Sequence, residues 1–414
     1  MLVSKAIQLA PLRLSRLAER QCHIVIGITH SQTCLTLTGR LRALREAGFR
    51  VTLISSPGEL LDRTAAREGV EVIGLPMERG MAPLADLVSL ARLWWILLRL
   101  HPDLCEFSTP KAGFLGGMAA WMAGIPARVY MLRGLKLETS KGLKRRILLA
   151  TERVAAGCAQ VVLCNSQSMR REAVTLGVAE EAKMCMLGDG SSNGVDVERF
   201  SPGASDVRER LNLPPDAPVV GFVGRLTEDK GVPELIEAFD TILKTEPRAH
   251  LLLVGWFDAS EDALGVEWRE RIARHPRIHS VGFVADTAPY FRAMDLMVLP
   301  TWREGFPNVV LEAAASGIPV ITTLCTGSRD SVVPEVTGLL ITPGYPEAIS
   351  EAVLKLLGDR ERRQRMGEAA RNWVCAHYSD TRVLRLAVSF YQGLLPKGPV
   401  VTAERALSAA DSGD

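Results

Sequence analysis

The stretch LMVLPTWREGFPNVVLEAAASG, Leu296 to Gly317, holds a strand, a loop and a helix in immediate succession. The apolar run 296–300 reads as a strand, and the pattern from Asn308 reads as a helix with Pro307 suited to its boundary. Glu304 therefore sits on the loop and Glu312 about one turn into the helix. Between them lie the backbone amides of Gly305, Phe306 and the first helical turn, unsatisfied donors at the positive end of a helix macrodipole. A diphosphate fits such a place. A carboxylate on either side would repel phosphate, so the natural targets of Glu304 and Glu312 are neutral hydroxyls, of which ribose and hexose are the obvious carriers.

Working outward, GFVGRLTEDKG (221–231) follows the apolar strand VVGFVG and precedes the helical pattern VPELIEAFDTIL. Its loop presents two cations: Arg225 can grip phosphate oxygens with a planar fork, and Lys230 supplies a compact charge. A solvated turn in which Glu228 and Asp229 pair locally with those cations is the plainer alternative. The strand-then-helix rhythm runs through the whole chain. CHIVIGIT, VTLIS, VEVIGLP, LCEFS, ARVYML and VVLCNS are strand candidates in the first half, and VVGFVG, HLLLVG, IHSVG, LMVLP, PVITT and GLLI follow after Pro218. Helical periodicity fills the gaps, which predicts two successive doubly wound α/β units with parallel sheets. The expected layout is an arm at 1–20, a first domain at 21–198, a proline-bearing linker opening a second domain at 199–379, and a disordered tail at 396–414.

Taken together these motifs resemble the retaining GT-B glycosyltransferases of the large family four over roughly residues 22–395, a resemblance that implies two Rossmann-like domains facing a central cleft. That resemblance implies that Glu304 bonds the donor sugar and Glu312 the nucleotide ribose. It also implies that Gly305, Phe306, Pro307 and Asn308 line the donor site, that Arg225 and Lys230 neutralise the departing diphosphate, and that a uracil base lies around Phe283 and Val284. The last helix, 380–395, is expected to cross back onto the first domain. VTLISSPG (51–58), STPKAG (108–113), RGLKLETSKGLKRR (133–146) and GSSNGVDVERFSP (190–202) are similar to the CapM- and PglA-like branch, which extends sugars on undecaprenyl diphosphate. Acceptor or phosphate contacts are accordingly expected at Lys111, Arg133, Lys136 and Asn193. Two departures stand out: Arg133 replaces the His that most relatives carry, and Ser328-Arg329-Asp330 replaces a Gly-Ile/Val-Pro-Glu segment, leaving the role of Asp330 open.

Composition fits this picture. Hydrophobic residues make up 47% of the 414 and charged ones 23%, so neither a disordered chain nor a polytopic membrane protein is indicated. Eight cysteines without CxxC spacing argue against a zinc site or a disulfide framework, and a reducing cytoplasm is the simpler setting. The apolar run between Lys111 and Arg128 is too short and glycine-rich to span a bilayer. No DxD triplet, GxGxxG fingerprint or Walker lysine occurs, so no cofactor and no essential metal are expected.

The net charge of +2 hides an asymmetry, with +7 on residues 1–198 and −5 on the rest. Arg128, Arg133, Lys136, Lys141, Lys144, Arg145 and Arg146 are opposed locally only by Glu138, which points to an anionic partner, either lipid headgroups or a pyrophosphate-bearing acceptor. ARLWWILLRLHP (91–102) mixes tryptophans with arginines as interfacial helices do, although an ordinary packing helix reads the same way. The arm 1–20 is a second membrane-contact candidate. The expectation is a hexosyl- or N-acetylhexosaminyltransferase using a nucleoside diphosphate sugar and a polyprenyl-diphosphate-linked acceptor at the inner face of the plasma membrane, with no nucleic acid partner. A nucleotide-sugar 2-epimerase of the same fold and a non-catalytic sugar-nucleotide scaffold are the rivals.

Overall fold

Strands rich in Val, Ile and Leu are suited to burial on both faces, which is what a helix-covered parallel sheet requires. The computed structural model describes residues 21–395 apart from 79, 81 and 259–261. The expected arm at 1–20 and tail at 396–414 lie outside the described residues. All twelve apolar runs form strands. In the first sheet these are β1 (His23–Gly27), β2 (Arg50–Ser55), β3 (Glu71–Gly74), β4 (Leu104–Ser108), β5 (Ala127–Leu132) and β6 (Val161–Cys164), joined by a short β7 (Met184–Met186). In the second they are β8 (Val219–Val223), β9 (His250–Val254), β10 (Ile278–Ser280), β11 (Leu296–Leu299), β12 (Val320–Thr323) and β13 (Gly338–Ile341).

The first sheet runs β3-β2-β1-β4-β5-β6-β7 and the second β10-β9-β8-β11-β12-β13. Their strands pair in parallel. Both orders are doubly wound: the chain steps outward from β1 or β8 on one side, then returns to the other side at β4 or β11. Loops at the carboxyl ends of those two neighbouring strands point apart and leave a crevice where such folds bind ligands. Central strands β1, β4, β8, β9, β11 and β12 are wholly buried, whereas the edge strands β3 and β10 are partly exposed.

Two compact units result. One comprises the described residues up to Met131, Val154–Val161 and the described residues from Arg385; the other comprises Leu132–Arg153 and Val162–Leu384. The helix Asp380–Leu394 therefore contributes its carboxyl-terminal turns to the first unit. In that unit Arg40 is fully buried, and its Nη2 donates to Glu106 Oε2 at 2.8 Å and to the Tyr391 hydroxyl at 2.5 Å. Tyr391 in turn donates to Glu106. This triad ties the last helix to β4 through charge-assisted bonds in a dry interior. The core of the second unit is built from Phe222, Phe239, Leu251, Phe291, Val310 and Leu311, all fully buried.

Candidate active site

The loops after β8 and β11 carry the two motifs, and those strands are neighbours, with Leu296 opposite Val220. Sheet order thus brings Arg225 and Lys230 beside Glu304. Lys230 ends a short turn, Glu228–Lys230, and its ammonium pairs with Glu304 Oε1; both side chains are largely buried. Arg225 Nη1 donates to Asp258 Oδ2 at 2.7 Å, and its Nη2 lies 3.5 Å from Asp229 Oδ2. The local pairing of Asp229 with these cations therefore exists, but as part of the site.

Arg303, unremarked in the sequence although it adjoins Glu304, binds both loops together. Its Nη2 donates to Asp229 Oδ2 at 3.0 Å and to Asp262 Oδ2 at 2.8 Å. Thr227 Oγ1 donates to Asp229 at 2.6 Å, and the Trp302 amide donates to the Asp229 carbonyl at 2.9 Å. Burial pushes the Asp229 carboxyl up, but Lys230, Thr227, Arg303 and Arg225 outweigh it and hold the carboxyl below its ordinary range. Among the described residues, three cations (Arg225, Lys230 and Arg303) face four carboxylates (Asp229, Asp258, Asp262 and Glu304).

The helix Asn308–Ala315 follows Pro307, whose backbone is extended and whose position is capped by no side chain. Gly305 is required there: a Cβ on it would lie 1.8 Å from the Arg133 carbonyl oxygen. Phe306 turns its ring inward and packs against Tyr378 at 5.4 Å, leaving only its backbone for a ligand. The Asn308 carboxamide oxygen faces the Ser191 hydroxyl at 3.5 Å. Glu312 is half-buried. Burial pushes its carboxyl up to about 7 against the pull of Arg199 and a hydrogen bond from Thr287, with Asp286 adding to the rise. Beyond β9 and β10, the exposed ring of Phe283 meets Trp256 edge to face at 5.6 Å, and Val284 packs against the core.

Of the expected acceptor residues, Arg133, Lys136 and Asn193 fall in this same unit. Arg133 Nη1 donates to Ser192 Oγ at 3.0 Å, Ser192 donates to Asn165 Oδ1 at 3.1 Å, and Asn193 is buried in the adjoining turn. Lys136 is half-buried in the short turn Lys136–Glu138. Lys111 lies in the first unit, where its ammonium is held by Asp86 Oδ1 at 2.6 Å. The seven-cation run divides. Arg128 is spent on the carbonyls of Ile125 and Cys158, whereas Lys141, Lys144, Arg145 and Arg146 are exposed at the start of the helix Gly142–Cys158, beside Leu143 at 72% exposure. Asp330 has a definite place: its Oδ2 accepts from the Ser168 amide at 2.7 Å, and Ser168 Oγ accepts from the Gly327 amide at 2.7 Å.

Two doubly wound parallel-sheet domains, the second with cations, carboxylates and a helix amino terminus at its switch point, are the architecture of a GT-B glycosyltransferase. Residues 217–359 match the pattern described as glycosyl transferases group 1, and residues 37–190 match the glycosyl transferase 4-like domain. The capsular polysaccharide biosynthesis glycosyltransferase CapM of Staphylococcus aureus is 34% identical over 89% of this chain and 96% of its own length. The Escherichia coli UDP-Gal:alpha-D-GlcNAc-diphosphoundecaprenol alpha-1,3-galactosyltransferase is 26% identical over 82% of this chain and 90% of its own. Among solved structures, HepE of Anabaena in complex with UDP-glucose aligns over 90% of this chain and 100% of its own, with a TM-score of 0.74 at 21% identity. The chain belongs to the family four glycosyltransferases.

Proposed function

We propose that this glycosyltransferase moves a hexose or N-acetylhexosamine from a UDP-sugar to a saccharide carried on undecaprenyl diphosphate, in polysaccharide or glycan assembly, with retention at the anomeric carbon. The observation that carries the reading is the meeting of Arg225, Lys230 and Glu304 with the amino end of the helix Asn308–Ala315 at the β8/β11 switch point. The name of the galactosyltransferase relative supports the acceptor class and UDP, and the name of CapM supports polysaccharide assembly.

In this reading the diphosphate lies against the amides of Gly305–Asn308, with Arg225 and Lys230 neutralising charge as the sugar–phosphate bond breaks. The acceptor oxygen bonds to the anomeric carbon on the face the leaving phosphate vacates, and that phosphate takes the acceptor proton. Glu304 holds a donor-sugar hydroxyl, Glu312 the ribose, and Phe283 with Trp256 gives the base an aromatic edge. No metal is needed, because the two cations and the helix terminus supply the positive charge.

Access to a lipid-borne acceptor calls for a peripheral seat on the cytoplasmic leaflet. No helix among the described residues is long and apolar enough to cross a membrane. The helix Pro83–Leu100 exposes Leu84, Leu87, Val88, Trp94 and Trp95, with the Arg99 guanidinium stacked 3.3 Å from the Trp95 ring centroid. An apolar stripe edged by cations suits an anionic interface.

Incubation of the purified protein with UDP-sugars and isotope-labelled undecaprenyl-diphosphate sugars tests the reading. Labelled disaccharide lipid is expected. Sugar isomerisation without acceptor would instead indicate an epimerase, and nucleotide binding without turnover a scaffold. Arg225→Ala and Lys230→Ala should each fold and lose about a hundredfold or more in rate, the scale set by removal of one preorganised charge-stabilising donor.

A further inference from the structure

The helix Gly142–Cys158 carries charge and apolar surface that the donor reading does not use. Its first turn holds no acid, and the exposed Lys141, Lys144, Arg145 and Arg146 crowd its amino end, where the macrodipole disfavours cations. Between residues 132 and 160 the sequence holds two acids, Glu138, which is half-buried, and Glu152, which is buried. Apolar side chains are placed as oddly as the charge. Glu152, Ala155 and Ala156 turn inward, with Leu148 and Leu149 half-buried along the same face. The line opposite that face runs through Leu143, Ile147, Ala150 and Val154, spaced four, three and four residues apart. All four are exposed, Leu143 at 72%, Ile147 at 37% and Val154 at 41%. A helix that meets only water would carry polar residues there. Lys144 borders this stripe on one side and Arg146 and Arg153 on the other, Arg153 donating to the carbonyls of Leu176 and Gly177 at 2.8 and 3.0 Å.

Two departures from what a stable surface helix needs thus fall in the same turns, which marks a surface kept for a purpose other than stability. Cations bordering an apolar stripe match the layers of an anionic membrane, phosphate outermost and acyl chain beneath. A protein partner is a poorer match, because the stripe has no Trp, Tyr or Phe to serve as an anchor. We infer that this exposed face docks on anionic phospholipid, with Leu143, Ile147 and Val154 entering the acyl boundary and Lys144, Arg145 and Arg146 lying at the phosphates. The inference deepens the membrane seat proposed above, on which it rests, by naming the surface that reads anionic lipid.

The test is flotation of the full-length protein with phosphatidylcholine vesicles, with and without about a third phosphatidylglycerol, none of them holding an undecaprenyl lipid. Three variants are compared with wild type: Lys144→Ala/Arg145→Ala/Arg146→Ala, Leu143→Ser/Ile147→Ser, and Leu84→Ser/Leu87→Ser in the helix Pro83–Leu100. Every substituted side chain is exposed, and thermal melts check that each variant folds. Wild type should float with the phosphatidylglycerol vesicles and come off as salt is raised. The triple variant should lose about a hundredfold in partitioning, the scale of three cations at a charged leaflet. Leu143→Ser/Ile147→Ser should lose about tenfold. Binding unchanged in both of these, or lost only in Leu84→Ser/Leu87→Ser, would overturn the assignment and leave the membrane seat standing. Wild type that floats only once undecaprenyl diphosphate is added would also overturn it, since the cations would then read the acceptor. Wild type that floats with no vesicle at all would bring down the seat and this inference together.

Discussion

Glu304 offers a test in which two effects of one substitution have opposite signs. Its carboxylate neutralises Lys230, and three cations face four carboxylates, so a diphosphate that binds Lys230 must take it from Glu304. A unit charge about 6 Å from a phosphate costs about 3 kcal/mol at an effective dielectric of about 20. Each side chain keeps some contact with water, at 14% and 17% exposure, so a net repulsion of about 1 kcal/mol is a reasonable remainder after screening and rearrangement. Glu304→Gln and Glu304→Ala should therefore bind UDP about threefold to tenfold more tightly than wild type, with the gain shrinking as salt is raised. Both variants should lose sugar transfer by about a hundredfold or more, because the sugar loses a contact made by a preorganised group. Calorimetry with UDP at two salt concentrations, paired with a transfer assay on the same preparations, reads both effects. If Glu304→Gln instead weakens UDP as much as Lys230→Ala does, Glu304 serves to aim the lysine at phosphate and the sugar-contact role is wrong.

Other consequences are separable from this one. Burial holds the Glu312 carboxyl at about 7 in the folded protein against 4.5 for its ordinary value, so the unfolded chain gives up that proton first and this group removes stability as pH rises from 4.5 through 7. Glu312→Gln should flatten that slope in urea titrations, and UDP binding near pH 7 should release protons from wild type but not from the variant. His250 has the opposite sign. Burial, with His279, Arg277 and Arg208 adding to it, lowers its ring to about 4 from 6.5, so stability is fully present above 6.5 and drains away as pH falls toward 4; His250→Asn should lessen the acid sensitivity seen in thermal melts. In the first unit Glu106→Ala would strand the buried Arg40 charge and cost about 3–5 kcal/mol, whereas Tyr391→Phe should cost about 1–3 kcal/mol. Tryptophan fluorescence during urea unfolding measures both, and a neutral Glu106→Ala would contradict the burial of that pair.

The local half of this protein is written in its sequence. Runs such as HLLLVG and LMVLP are apolar, short and punctuated by glycine or proline, and each forms a strand, because strand formation in a covered sheet needs only residues that tolerate burial on both faces. Met184–Met186 escaped notice because three residues carry no measurable periodicity. The motif loops were legible for the same local reason: Arg225, Lys230, Glu304 and Glu312 lie within a few residues of a strand end or helix start, where backbone donors and charge are placed by short-range geometry.

Partnership was not legible, because it follows from which strands pair, and spacing along the chain does not encode that choice. Only the order β10-β9-β8-β11 sets Lys230 on Glu304 and Arg225 on Asp258. The same packing set Arg225 and Lys230, together with Arg303, among four carboxylates, and gave Asp330 a tie to the Ser168 amide. The sequence alone determined the family and the two parallel sheets, and it marked the residues proposed here to hold a sugar nucleotide. The tertiary structure decided how their charges are balanced before a ligand arrives, because Coulomb energy depends on separations in space.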